Sequence, residues 1–252
     1  MAVWSLMTVC AATQEPDFLA IAKRYDEYFA RGEYPEALAE AQAFEAAIRA
    51  RVGTEHPAYA QALFLQARVY EKQGHYADAE VRLRNALAIS EKALGKDHID
   101  VAKILNAAAG IYFDQGHYSE AQDFFQRALD IKARVLGGTH PAVAESLNNL
   151  AITSQRRGYY TEAESFYKQL LSLREKVLGV SHPDVAQTLY NLAFVYESRA
   201  RLEDAKELYK RALDIEEKAF GTGHPIVAET LCALGRVYGA QGKASQIGRA
   251  HV

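Results

Sequence analysis

Cysteine is scarce, charge is nearly balanced, and the apolar stretch at the start of the chain is too short to cross a bilayer. Each shortage removes a class of function. The 252 residues include two cysteines, Cys10 and Cys232, in unrelated settings at opposite ends. That supports neither a disulfide framework nor a zinc site, and it leaves the redox compartment open. A formal charge of -3 gives no global basic field to draw the chain onto nucleic acid or anionic lipid, although local patches stay open. There is no phosphate-binding glycine loop, no HExxH, no GxSxG and no paired cysteines. The expectation is therefore a non-enzyme, with no catalytic residues, no cofactor and no metal.

Residues 1–15 form an apolar N-terminal tail or signal-peptide remnant. The segment AVWSLMTVCAA is uncharged and falls short of a membrane span. It is similar to the later part of a secretory signal, with small residues around Val9, Cys10 and Ala11 and then polar Thr13, Gln14 and Glu15, but the basic leader is missing. Two readings stay open: a start placed inside a longer signal, or a frayed apolar tail. The protein is expected to be exported if residues 1–12 are a truncated signal peptide, and cytoplasmic otherwise. A lipoprotein reading of Cys10 is weaker, because Thr8 and Val9 fit that signal poorly.

What the chain does have is a phrase repeated five times at a spacing of 42 residues. It reads GEYPEA from Gly32, GHYADA from Gly74, GHYSEA from Gly116 and GYYTEA from Gly158, then ARLEDA from Ala200, where alanine replaces the glycine. A second phrase keeps the same period half a repeat later. His56, His98, His140, His182 and His224 each stand three residues after Gly53, Gly95, Gly137, Gly179 and Gly221. Two independent signals in phase mean a repeat array, which makes binding the first expectation.

Within each unit the apolar residues fall at helical spacing in two runs. In the fourth unit the first stripe is Ala144, Leu147, Leu150 and Ala151. The second is Ala163, Phe166, Tyr167, Leu170, Leu171, Leu173, Val177 and Leu178. Glycine at 32, 74, 116 and 158 ends each first helix where a left-handed backbone is cheapest. Alanine at 37, 79, 121, 163 and 205 opens each second helix, where two backbones approach most closely. Small residues also stand at Ala60, Ala102, Ala144, Ala186 and Ala228. His-Pro then starts the next first helix, with proline where its missing N–H is harmless. Ile99 replaces that proline once, so the turn does not depend on the ring.

These units resemble tetratricopeptide repeats. With HPDVAQTLYNLAFVY at 182–196 and LYKRALDIEEKAFG at 208–221, the 42-residue form is similar to kinesin light chain repeats; the usual repeat is about 34 residues. The resemblance covers roughly residues 30 to 241 and implies an all-α, right-handed superhelical solenoid of antiparallel helix pairs. It also implies protein or peptide binding, and does not make the chain a motor subunit. Residues 16–52 are a degenerate capping repeat, with Phe18, Leu19, Ile21, Ala22, Tyr25 and Phe29 as the apolar face of its first helix. Residues 53–241 are the solenoid, with four full repeats and a lone first helix. Residues 242–252 are a non-repeat tail: either the array continues beyond this chain or SQIGRAHV is foreign sequence from a junction. The central unit departs from its siblings, since Ser154 stands where Tyr70, Tyr112, Tyr196 and Tyr238 stand elsewhere.

The resemblance implies that the first helices line a concave groove, which selects candidate contacts by their spacing from the core alanines. These are Gln61, Phe64, Arg68 and Lys72, then Lys103, Asn106 and Phe113, then Glu145, Asn148, Asn149, Ile152 and Arg156. The next units give Gln187, Tyr190, Asn191 and Phe194, followed by Glu229, Cys232 and Arg236. Amides, aromatics and a few cations suit an extended peptide better than a polyphosphate. Asn149 and Asn191 occupy one position in adjacent repeats, and the resemblance implies asparagines that grip a peptide backbone, since one amide both donates and accepts. The plainer alternative is that they hydrogen-bond neighbouring helices. A carboxylate clamp is disfavoured, because Glu229 and Ala233 supply no cations in the following repeat.

The five recurring histidines are expected to be turn residues. Neighbouring copies should lie roughly 20 Å apart along the stack, at 8–10 Å per interaxial step, whereas metal ligands all sit about 2 Å from one ion. His75 and His117, in the other turn, share that reading. The expected function is a scaffold binding a protein or extended peptide, monomeric or weakly self-associating through its last helix. The alternative is a sensor or assembly segment of a larger effector truncated in this chain.

Overall fold

The computed structural model describes residues 18–242; the expectations about the tail at 1–15 and about SQIGRAHV lie outside the described residues. Eleven helices follow in order: α1 (Phe18–Arg31), α2 (Tyr34–Val52), α3 (Pro57–Lys72), α4 (Tyr76–Leu94), α5 (Ile99–Asp114), α6 (Tyr118–Leu136), α7 (Pro141–Arg156), α8 (Tyr160–Leu178), α9 (Pro183–Ser198), α10 (Leu202–Phe220) and α11 (Pro225–Ala240). No strand occurs among the described residues. From α3 to α11 the odd helices have 16 residues, and from α2 to α10 the even helices have 19. The second helix of each pair is thus the longer one. Connections this short make sequential helices antiparallel neighbours.

The two glycine sets do different work. Gly74, Gly116 and Gly158 have φ between 75° and 80°, and Ala200 takes φ 58° at the same place, close to the left-handed α value that an L residue can reach at modest cost. At the other turn Gly95, Gly179 and Gly221 combine φ of 83° to 90° with ψ of 155° to 157°. That region is essentially closed to any side chain. One turn therefore tolerates Ala200, while its sibling keeps glycine in all five copies.

The histidines turn out to be helix caps. Nδ1 of His56, His98, His140, His182 and His224 accepts the backbone N–H two residues on, at 3.1, 3.2, 3.1, 3.1 and 3.3 Å. This is the work usually done by Ser, Thr, Asp or Asn at the N-cap. His75 and His117 precede α4 and α6 without a side-chain cap bond, and their rings lie 6.3 Å from Tyr70 and Tyr112.

The described chain forms two compact units, divided between Ala107 and Ala108. In the first, Tyr25, Ala37, Ala41 and Val69 form one core cluster, with Tyr28, Phe29, Tyr34, Leu38 and Leu65 packed against it. In the second, a continuous core runs from Ala109 through Phe125, Leu147, Leu150, Tyr167, Leu170, Leu192 and Tyr209 to Leu234. The crossing alanines at 37, 79, 121, 163 and 205 are all fully buried. Several apolar positions depart from the expected stripes. Leu19 is 80% exposed and Val177 and Leu178 are exposed, each near a helix end. Ala144 is half-buried and Ala228 exposed, unlike Ala60, Ala102 and Ala186.

Candidate functional site

Most of the candidate contacts in the second unit are on α7 and α9. On α7, Asn149, Ile152 and Arg156 follow at steps of three and four, which places them on one face about 10 Å long at 1.5 Å per residue. Ile152 is anchored against the core and Arg156 is exposed. On α9, Tyr190 and Asn191 precede Phe194, which is 37% exposed.

The amides behave alike in one respect. Among the described residues the side chains of Asn148 and Asn149 have no hydrogen-bond partner, and the Thr153 hydroxyl donates to the Asn149 main-chain carbonyl at 2.7 Å. Asn191 accepts from Gln187 Nε2 at 3.3 Å, one turn back on its own helix. Neither recurring amide ties one helix to the next, so the plainer expectation for them does not describe this structure.

Other candidates are more committed. Tyr190 is half-buried, edge-on to Tyr209 at 5.2 Å, and its hydroxyl donates to Glu229 at 3.1 Å on α11. Burial, repulsion from Glu229 and that hydrogen bond all raise its pKa, so it stays a neutral donor. Phe113 packs against the core and edge-on to Tyr118 at 5.2 Å. Arg236 pairs with Glu197 at 3.2 Å, and Glu145 lies 3.8 Å from the buried Lys132 ammonium. Cys232 is exposed and free, and the remaining candidates belong to the first unit. There Arg68 lies over the Phe29 ring at 4.5 Å, Lys103 pairs with Asp100 at 2.7 Å, and Asn106 is half-buried and already engaged.

One cluster beside α9 was not singled out from the sequence. The Glu164 carboxylate on α8 accepts from Lys168 at 2.7 Å and from the Tyr196 hydroxyl at 3.1 Å, and it also meets Arg199 and Arg201. Burial pushes its pKa up, but the bonds from Lys168 and Tyr196 and the surrounding cations outweigh burial and hold it below the ordinary range. Arg201 also stacks over Tyr196 at 4.1 Å. The counterpart one repeat earlier is Arg157 with Gln122. Pairing at a separation of 35 was the available signal, and it is visible only once helices of successive repeats are known to touch. An open depression of about 460 Å³ lies beside this cluster, lined by Gly158, Tyr159, Tyr160, Thr161, Glu162 and Arg199. None of the α7 or α9 amides lines it.

The profile of the tetratricopeptide repeat family matches the chain over residues 28–92, 76–134, 100–176, 143–218 and 184–246. No curated protein sequence matches it. Among solved structures, BtubC from P. vanneervenii is 24% identical with a TM-score of 0.70, over 92% of this chain and 88% of that one. The nearly identical repeats of a putative kinesin light chain from Podosopora anserina are 24% identical with a TM-score of 0.73, over 82% and 98%. The pilF protein of Pseudomonas aeruginosa is 20% identical with a TM-score of 0.61, over 92% and 88%. At these identities the likeness is one of fold.

Proposed function

The chain belongs to the tetratricopeptide repeat family, and from that footing we propose that it is a non-enzymatic scaffold that holds an extended peptide or protein segment across the α7 and α9 face. The family generally mediates protein–protein interaction. The observation that carries the reading is the pair Asn149 and Asn191: the same position in adjacent repeats, half-buried, and bonded to no neighbouring helix. An amide on that footing offers one donor and one acceptor to a peptide unit. Phe194 and Ile152 beside them supply apolar surface for side chains.

The test begins with capture of partners and their identification by mass spectrometry, followed by titration of the captured segment. Asn149→Ala with Asn191→Ala should weaken that complex by roughly 1 to 3 kcal/mol, the cost of leaving desolvated polar groups unpaired. Helicity and melting temperature should stay nearly unchanged, because neither amide supports another helix. Unchanged affinity in the folded double variant sinks the backbone grip, and a large fall in melting temperature returns the amides to a structural role.

A further inference from the structure

In the second unit each even helix sends one polar side chain into the joint with the helix that follows, at positions 132, 174 and 216. Lys132 is 5% exposed, and its ammonium donates to Ser146 at 2.9 Å. Arg174 donates to Thr188 at 2.7 Å and to the Asp184 carbonyl at 2.8 Å. Glu216 is 2% exposed, and its counterpart Thr230 is 1% exposed. Here the pattern fails. Glu216 Oε2 and Thr230 Oγ1 are both buried without a hydrogen-bond partner.

The charge is unanswered as well. Among the described residues no lysine, arginine or histidine pairs with Glu216. On its own helix, Ala212 and Ile215 pack with Val185, Ala186 and Leu189 of α9, which carry no charge. From α11 the facing groups are the Thr230 hydroxyl and the Glu229 carboxylate, whose charge has the same sign. Arg211 and Arg236, the arginines of α10 and α11, are taken by Glu175 and Glu197. A buried carboxylate in such a place is costly, and neutralisation is the usual way out.

We propose that the joint between α10 and α11 is a proton-operated latch, closed while the Glu216 carboxyl is protonated and loosened when it ionises. Protonation removes the buried charge and its repulsion from Glu229, and it gives the carboxyl a donor for the Thr230 oxygen. The expected direction of titration agrees: burial raises the Glu216 pKa above the ordinary 4.5, Glu229 raises it further, and only the Thr230 hydroxyl opposes, lying close enough to favour the carboxylate charge although the pair falls short of hydrogen-bond geometry. A carboxyl whose folded pKa is raised stabilises the closed joint fully below the ordinary value, and that contribution is lost as pH rises through the folded value. Acid therefore tightens α11, which is the reverse of ordinary acid denaturation.

Hydrogen exchange of the α11 amides, corrected for intrinsic rates and referred to α9 in the same chain, reads the latch between pH 5 and pH 8. Protection of α11 relative to α9 should fall with rising pH, by up to about tenfold per pH unit between the ordinary carboxyl pKa and the folded one, the slope for one linked proton, and should level off above the folded value. Glu216→Gln should abolish the slope and leave α11 better protected at pH 8. Glu229→Gln keeps Glu216 and removes the neighbouring charge that raises its pKa, so the wild-type slope should end at lower pH. A pH-independent wild type overturns the proposal, as does a slope that survives in Glu216→Gln. If Glu216→Gln does not fold, the Glu229→Gln profile decides, and an unmoved slope overturns it.

Discussion

The joint between α2 and α3 and the joint between α6 and α7 sit at the same place in the repeat and are filled in opposite ways. In the first, Tyr59 and Gln66 both donate to the Glu45 carboxylate at 2.7 Å, while Ile48 and Ala62 form the apolar part. In the second, the counterparts of Glu45, Tyr59 and Gln66 are Leu129, Val143 and Leu150, all buried, and the counterparts of Ile48 and Ala62 are Lys132 and Ser146. Polar and apolar positions have changed places without disturbing helix lengths or turns. The joint between α8 and α9 follows the second arrangement, with Leu171, Val185 and Leu192 beside Arg174 and Thr188. The repeat thus specifies where helices meet, and the chemistry at the meeting point is free to vary. Buried polar groups there usually find partners, and Glu216 with Thr230 at the joint between α10 and α11 is an exception.

If backbone approach is the shared constraint, overpacking it should be the most damaging change in either unit. Ala79 and Ala163 are both fully buried at the start of an even helix. Ala79→Phe and Ala163→Phe should each lose about 1 to 3 kcal/mol or more, the usual cost of forcing volume into a filled crossing, measured as the midpoint of chemical denaturation. Tolerance of one and not the other would mean that the two units do not share the crossing.

The exchange of polar and apolar fillings predicts a smaller, non-additive effect. Ser146→Ala removes one hydrogen-bond partner of the buried Lys132 ammonium, which also lies 3.8 Å from Glu145. That should cost about 1 to 3 kcal/mol. Lys132→Met combined with Ser146→Ala approximates the apolar filling of Ile48 and Ala62, and should recover most of the loss, as buried polar pairs replaced by apolar residues often do. A double variant as unstable as the single one would show that the fillings are not interchangeable.

The legible part of the molecule was whatever recurs in each copy. The phase of Gly32, Gly74, Gly116 and Gly158 located the ends of the first helices, and that of Gly95, Gly137, Gly179 and Gly221 the ends of the second. The crossing alanines followed from the same period. The Lys132–Ser146, Arg174–Thr188 and Glu164–Arg199 contacts were not legible, because their residue types change from copy to copy and their partners lie on another helix. Helix ends misled for a related reason: Leu19, Val177 and Leu178 satisfy the helical spacing, yet spacing does not say where the neighbouring helix stops. Of the candidate face, the shared position of Asn149 and Asn191 was readable. That Tyr190 bridges to Glu229 and packs on Tyr209 was not, because its position is filled by other residue types elsewhere in the array.

The smallest predicted effect falls on the feature that is the same in both units. His56 in the first and His182 in the second accept the N–H of Ala58 and Asp184 at the same 3.1 Å. Since the cap geometry does not vary as the joints do, His56→Ala and His182→Ala should lose similar amounts, about 1 kcal/mol each, the typical cost of removing an N-cap side chain. His182→Asn should lose much less, because its amide oxygen can take the same N–H. The comparison separates the cap from mere filling of the turn: alanine and asparagine both shorten the side chain, and only asparagine restores the acceptor. An asparagine variant as unstable as the alanine one would mean that the imidazole acts through its bulk against the turn, as the Phe220 ring stacked on His224 at 4.8 Å does at the last turn.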